Sequence, residues 1–268
     1  MLEPLVACAA ELCCCREWPQ REMLQELIDA RGVMNERGDP IRLVAASSRE
    51  ESYEVRVYRR GELQVREYEW HDLFNVLAWL AYPRTKAALN ARHFSALLQE
   101  SGDAGSPDQT RGRPNRSTVR DALTLFDESG AIVVSSDPQL IADLRAFRWK
   151  KLFWDARGRV ASSMRFYVFG HGILEKALSP YVGLTAHAVP LVTGSEFMET
   201  PFEQQIARID QLVARCVTEI DGMTTPRSLA PLPLLGVPGW WTGNQDESFY
   251  DDAFYFRGGR RSRPGKGV

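Results

Sequence analysis

The sequence predicts an α+β fold in which a mixed, mainly antiparallel sheet is covered by helices. Helical periodicity is concentrated near residues 1–32, 70–98 and 200–219, whereas strand-like alternation or short apolar runs occupy 41–68, 123–134, 164–169 and 184–192. The two kinds of segment do not alternate in the regular βα order that builds a parallel sheet.

In chain order, Leu2, Leu5, Val6, Ala9 and Leu12 recur near a 3.6 period. Met23, Leu24, Leu27 and Ile28 repeat that spacing after Trp18-Pro19, and Gly32 closes the second helix. Residues 1–39 are thus expected to form a helical segment packing on a larger body that spans 40–256. Ile41 to Val44 is a short strand candidate. Tyr53, Val55 and Val57 alternate with charged residues as far as Arg60-Gly61, and Leu63, Val65 and Tyr68 nearly alternate again, which predicts a hairpin turning at Gly61. Asp72 to Ala81 and Thr85 to Leu98 read as a helical hairpin broken at Tyr82-Pro83. Residues 101–118 hold almost no apolar side chains and are expected to be a mobile loop.

Leu123 to Phe126 and Ala131 to Val134 flank Asp127-Glu128-Ser129-Gly130, which predicts a second hairpin with Gly130 at positive φ. An aspartate after a buried strand also occurs in phosphotransferase nucleophile loops, but the second acid such a loop needs is replaced by Ser129, so the turn is preferred. Asp137-Pro138 starts a helix with the acid at its cap. Met164 to Phe169 is a strand ending at Gly170, in a turn to a helix bearing His171 and Glu175. Leu184 to Val192 is a further strand, and Thr200 to Glu219 reads as the longest helix. Prolines in 226–245 predict an extended segment without regular structure, with Trp240-Trp241 docked on the body. The basic tail 257–268 is expected to be disordered.

A net charge of -2, with 44% hydrophobic and 25% charged residues, is that of an ordinary soluble protein and argues against nucleic-acid binding through overall charge. No apolar run approaches the roughly 20 residues of a membrane span, so no membrane partner is expected. Cys13, Cys14 and Cys15 are adjacent, Cys8 precedes them and Cys216 stands alone. That pattern suits no disulfide framework and points to a reducing, cytoplasmic setting.

Several blocks recur in a fixed order: WHDLFNVLAWLAYPRTKAALNARH, DALTLFDESGAIV, RAFRWKKLFW, RFYVFGHGILEKAL and LAPLPLLGVPGWW. On these the chain resembles an uncharacterised proteobacterial family, a domain of unknown function, over roughly residues 40–256. The resemblance implies bacterial origin and a single family domain, and it brings no reaction, cofactor or catalytic residue.

The four histidines direct the search for chemistry, because imidazole is readily recruited for proton transfer or metal ligation. His71, His93, His171 and Glu175 are the expected ligands of a divalent metal. His71, Asp72, His171 and Glu175 are the expected catalytic set, with Asp72 and Glu175 orienting or ligating. Positions i and i+4 of a helix share a face, so His171 and Glu175 are expected to address one ion or substrate. The spacing matches no HExxH signature, and there is no GxSxG elbow. The function this suggests is an intracellular, metal-dependent hydrolase. His187, within a strand, is expected to be a core residue with a satisfied hydrogen bond. The competing reading is a nucleic-acid- or protein-binding module on the helix 144–154, with Arg145, Arg148, Trp149, Lys150 and Lys151 as its contacts.

Overall fold

The computed structural model describes residues 1, 3–10, 12, 17–45, 51–101, 117–219 and 221–259. Residues 102–116 of the predicted loop 101–118, the Cys13-Cys14-Cys15 run and most of the basic tail lie outside the described residues, while Ser101 ends one helix and Ser117 and Thr118 begin the next. The elements in chain order begin with α1 (Glu3–Ala9), α2 (Arg21–Ala30), β1 (Arg42–Val44), α3 (Tyr53–Arg60), β2 (Glu62–Gln64), α4 (Trp70–Ala81) and α5 (Pro83–Ser101). There follow α6 (Thr118–Ser129), β3 (Gly130–Ser135), α7 (Pro138–Arg145), a π-helical turn (Lys151–Asp155), α8 (Arg157–Ser163) and β4 (Met164–Val168). The order ends with α9 (His171–Lys176), β5 (Thr185–Val192), α10 (Glu196–Glu199), α11 (Phe202–Thr218) and β6 (Ala230–Pro233).

The α+β class holds. The main sheet has the order β4-β3-β5-β6, with β3 parallel to β5 and antiparallel to β4, and β5 antiparallel to β6. Every residue of β3 is buried. Its run Ala131-Ile132-Val133-Val134 lacks the alternation of a half-exposed strand because both faces are covered. A small parallel pair, β1 with β2, lies apart.

Neither predicted hairpin forms. Residues 53–60 are helical, and Gly61 at φ 67° ends that helix by donating its amide to the Val57 carbonyl. The misleading alternation arises because α3 is wedged between two clusters: Val55 packs with Phe94 and Leu97, and Val57 joins the main core. In the second case Leu123 to Phe126 belongs to α6, whose buried Ala122, Leu123 and Phe126 follow helical spacing. Ser117 caps that helix by accepting from the Arg120 amide at 3.4 Å. Gly130 lies at φ -71°, not in the left-handed region. It is glycine because a Cβ there would strike the Phe126 carbonyl and ring.

The prolines of the 226–245 segment are compatible with a strand. Pro231 and Pro233 sit in β6, at the sheet edge, where a missing N–H costs no ladder bond. The longest helix is α5, not the one beginning near residue 200. Its first turn is held by Asp210 of α11, which accepts from the amides of Arg84 (3.0 Å) and Thr85 (2.7 Å). Trp240 packs edge-on to Phe166 of β4, as expected for an arm docked on the body. No described helix is long and apolar enough to cross a membrane.

Candidate active site

Five helices bring their chemistry to one cavity of about 290 Å³, α3 supplying Tyr53. His71 enters from the first turn of α4 and Asn75 lies one turn later. Lys86, Asn90 and His93 come from α5, where spacings of four and three residues put them on one face. Asp127 and Glu128 come from the last turn of α6, and His171 opens α9. The position of each acid therefore depends on residues 123–129 being helical.

At the centre stands Glu128. Its Oε1 lies 3.5 Å from His171 Nε2 and 3.8 Å from His71 Nε2. The two imidazoles meet edge-on with ring centroids 4.4 Å apart. One ligand atom from each of His71, Glu128 and His171 falls within a common 4.8 Å span. A tetrahedral zinc site with bonds of 2.0–2.1 Å has donor atoms about 3.4 Å apart, so small side-chain movements would close this triad on an ion.

Each imidazole also turns its other nitrogen toward an acid. His71 Nδ1 is 3.2 Å from Glu175 Oε2, and His171 Nδ1 is 3.9 Å from Asp127 Oδ2. Asp127 is itself held by Lys86, whose Nζ approaches its Oδ1 to 2.5 Å. Lys86 is buried, its side chain 2% exposed, and its ammonium also faces the Trp79 ring.

These contacts set the charge states. Contact with His171 holds the Glu128 carboxyl below its usual range, outweighing partial burial. Burial pushes Asp127 upward, but Lys86, His171 and His93 together reverse it and leave the carboxyl lowered. Burial likewise acts to lower Lys86, and Asp127, ahead of Tyr53 and Glu128, turns the shift upward. Burial raises the Tyr53 phenol. The cavity therefore carries a charged ion pair below the histidine pair.

The structure gathers three of the four histidines at the cavity. His71 and His171 are in contact, while His93 is buried on the α5 wall and lies outside the triad. Glu175 sits behind His71, its Oε2 beside Nδ1 of that ring, and is not among the three residues whose ligand atoms cluster with His171. The Asp72 carboxylate is taken by Arg66, with bonds of 2.9 Å from Nε and from Nη2 and of 2.8 Å from the backbone amide. That grip draws Asp72 below its usual range despite burial, and it fixes the entry of α4 one residue after His71. His187 lies in β5, beside Gly130, and its Nδ1 has no protein partner, contrary to the satisfied bond expected of it. Burial lowers its pKa.

The residues of the competing binding face are engaged within the chain. Arg148 and Lys151 both reach Asp143 at 3.1 Å, and Lys150 reaches Glu247 and Asp251 at 3.0 and 2.8 Å. Trp149 is buried and donates to the Arg257 carbonyl at 2.8 Å. Arg145 is exposed in the last turn of α7. What remains is a buttressed surface with its cations largely neutralised.

Asp127, Glu128, Lys86, Asn75, Asn90 and Tyr53 are cavity residues outside the site expected from sequence, Asp127 because its segment reads as a turn rather than a nucleophile loop. One signal was available: Lys86, Asn90 and His93 form a polar stripe on a helix whose neighbours Ala87, Ala88 and Leu89 are buried. The acids carried no such mark once residues 127–130 were read as a turn.

The glycines flanking His171 allow the close approach of α9 to the end of α6. A Cβ at Gly170 would strike the Gly130 amide and come within 2.6 Å of the Glu128 backbone; at Gly172 it would meet the Glu128 carboxylate. Gly170→Ala is therefore expected to destabilise the protein by about 1–3 kcal/mol, because backbone cannot yield as a side chain can. Gly158→Ala, in α8 with nothing within 4 Å, is expected to be neutral or stabilising. Urea unfolding of the two variants checks the contrast, and equal midpoints would refute it.

Fold and cavity together define an α+β protein with a histidine and carboxylate cluster between helices. Residues 41–260 match the family profile described as Protein of unknown function (DUF3025), and the chain belongs to that family. No curated protein and no solved structure matches the chain.

Proposed function

We propose that this protein is a divalent-metal-dependent hydrolase whose ion is held by His71, His171 and Glu128. The observation that carries the reading is the convergence of both rings on one carboxylate: each presents Nε2 to Glu128, and His71 turns Nδ1 to Glu175 at 3.2 Å, while His171 Nδ1 faces Asp127 at 3.9 Å without a hydrogen bond. Metal-ligating histidines commonly donate their second nitrogen to such a partner, which fixes the tautomer and raises ligand basicity. Two imidazoles and one carboxylate form a donor set found in catalytic zinc sites, which leave a position open for water or substrate. A metal there acts as a Lewis acid and makes water a usable nucleophile at neutral pH. His93, Asn90 and Asn75 line the same cavity and would face the bound molecule.

This revises the ligand set read from sequence, with Glu128 replacing His93 and Glu175 as a direct ligand. Metal-stripped protein titrated calorimetrically with zinc is expected to bind about one equivalent, and His71→Ala is expected to abolish that binding. If wild-type protein binds neither zinc, manganese nor nickel at a stoichiometric ratio, the reading fails.

A further inference from the structure

The cavity meets solvent at Arg66, His71 and Glu128, whose side chains are partly exposed, while His171 and Lys86 are buried deeper in its wall. Tyr68 and Trp70 stand between Arg66 and His71 in the chain, and their side chains are 70% and 46% exposed. Across His71, Glu175 reaches Nδ1 at 3.2 Å. The chain beyond Glu175 exposes Leu178, whose amide donates to the Glu175 carbonyl at 3.2 Å, and then Tyr181 and Val182. Two short segments tied together at His71 thus carry five of the exposed large apolar side chains found among the described residues.

Tyr68 is held there against its backbone preference. Its φ of 61° lies in the left-handed region, which a residue with a bulky side chain rarely adopts. The ring lies tilted against Trp18 at 5.8 Å, Trp18 meets Trp70 edge-on at 5.1 Å, and Trp70 stacks on Phe74 at 5.7 Å. A side chain that leaves most of its surface in water gains little packing to offset the strain, and glycine would satisfy the same turn without it. A strained residue beside a candidate active site points to a task for the group it displays.

Cavity and rim differ in chemistry. Glu54, Asp72, Lys86, Asp127 and Glu128 line the cavity, so an alkyl chain inside it would strip charged groups of solvent. The rim presents rings and aliphatic side chains. Its charges are two cations, Arg66 and Lys176, against three acids, Glu67, Glu69 and Glu175, and Arg66 is already gripped by Asp72. Segments that dock on bilayers carry an excess of basic residues, so this balance favours a single apolar chain over a lipid surface.

We propose that Tyr68, Trp70 and Leu178 form a rim that holds an alkyl or acyl chain of the substrate while its polar head occupies the cavity. The inference rests on the hydrolase reading only for calling that ligand a substrate, because none of the rim residues holds the metal. Zinc titration tests that reading, whereas the rim is tested on protein stripped of metal with EDTA, so the two failures are read separately.

Butanamide, hexanamide and octanamide share one neutral head and lengthen by two methylenes at each step. A fully buried methylene is worth up to about fourfold in affinity, so on an open rim the rise from butanamide to octanamide is expected to reach about tenfold or more. Saturation-transfer NMR on wild-type, metal-stripped protein measures it. Tyr68→Gly and Leu178→Ser are each expected to weaken octanamide by roughly threefold or more and to leave butanamide unchanged. Both replaced side chains are exposed, and the urea midpoint of Tyr68→Gly is expected to be no lower than that of the wild type, since glycine relieves the left-handed turn. Affinity independent of chain length, a rise that survives both substitutions, or a lowered midpoint in Tyr68→Gly, which would make the ring structural, would overturn the proposal. So would sedimentation of the wild type, but not of Tyr68→Gly, with phosphatidylcholine vesicles, which would assign the rim to a bilayer.

Discussion

Glu128→Gln is expected to abolish tight zinc binding, whereas Glu175→Gln weakens it by roughly 10- to 100-fold, the range seen for outer-shell partners of metal-ligating histidines. The difference follows from position. Glu128 Oε1 is the atom to which both imidazoles turn, at 3.5 and 3.8 Å, while Glu175 touches only the far nitrogen of His71. Replacing either acid by its amide keeps shape and removes charge, so packing contributes little to the comparison. The same order is expected for activity on any hydrolysed substrate, with Glu128→Gln the more severe. Calorimetric zinc titration of both variants checks the ranking. Equal losses, or a larger loss in Glu175→Gln, would mean that the ion, if bound, is held differently from the arrangement argued above.

Asp72 and Glu128 show how the chemistry was divided between sequence and fold. His71-Asp72 attracted notice as neighbouring functional groups, yet adjacency on a helix sends side chains in different directions. Asp72 turns to Arg66, and His71 turns to residues 57 and 104 positions away in sequence, Glu128 and Glu175. Only the packing of α4 and α6 against α9 creates those pairs. The helical hairpin, the strand at Met164 to Val168 and its turn into His171 were legible because period and glycine punctuation agree there. The segments 53–60 and 123–129 were not, since a run of four to eight apolar or alternating residues fits a strand as well as one face of a short helix. What resolved them was tertiary: a second cluster around Phe94 for Val55, and the Ser117 cap with a full turn of buried residues for α6. Misreading α6 hid Asp127 and Glu128, so the fold error and the site error share one cause.

Lys86→Met is expected to cost about 3–5 kcal/mol at neutral pH, the largest single-residue effect on stability here, because it strands Asp127 without its cation. Lys86 is 2% exposed and Asp127 19%, and their 2.5 Å contact replaces the water both have lost. Met matches the length and apolar stem of lysine, so loss of volume contributes little. The double variant Lys86→Met with Asp127→Leu is expected to recover much of the loss, since a buried pair replaced by packed apolar groups is often neutral. The pH dependence supplies an independent signature. In the wild type the Asp127 carboxyl is lowered, so its contribution is present above the ordinary aspartate range near pH 4 and disappears as pH falls through the folded value. In Lys86→Met the term that burial adds is no longer opposed by the ammonium, the carboxyl rises, and protonation on acidification relieves the stranded charge. The stability gap between the two proteins is therefore widest at pH 7 and narrows toward pH 5. Urea unfolding at both values measures it. A gap that stays constant would show that the loss comes from packing rather than from an uncompensated charge, and Lys86 would no longer be the group that holds Asp127 ionised behind His171.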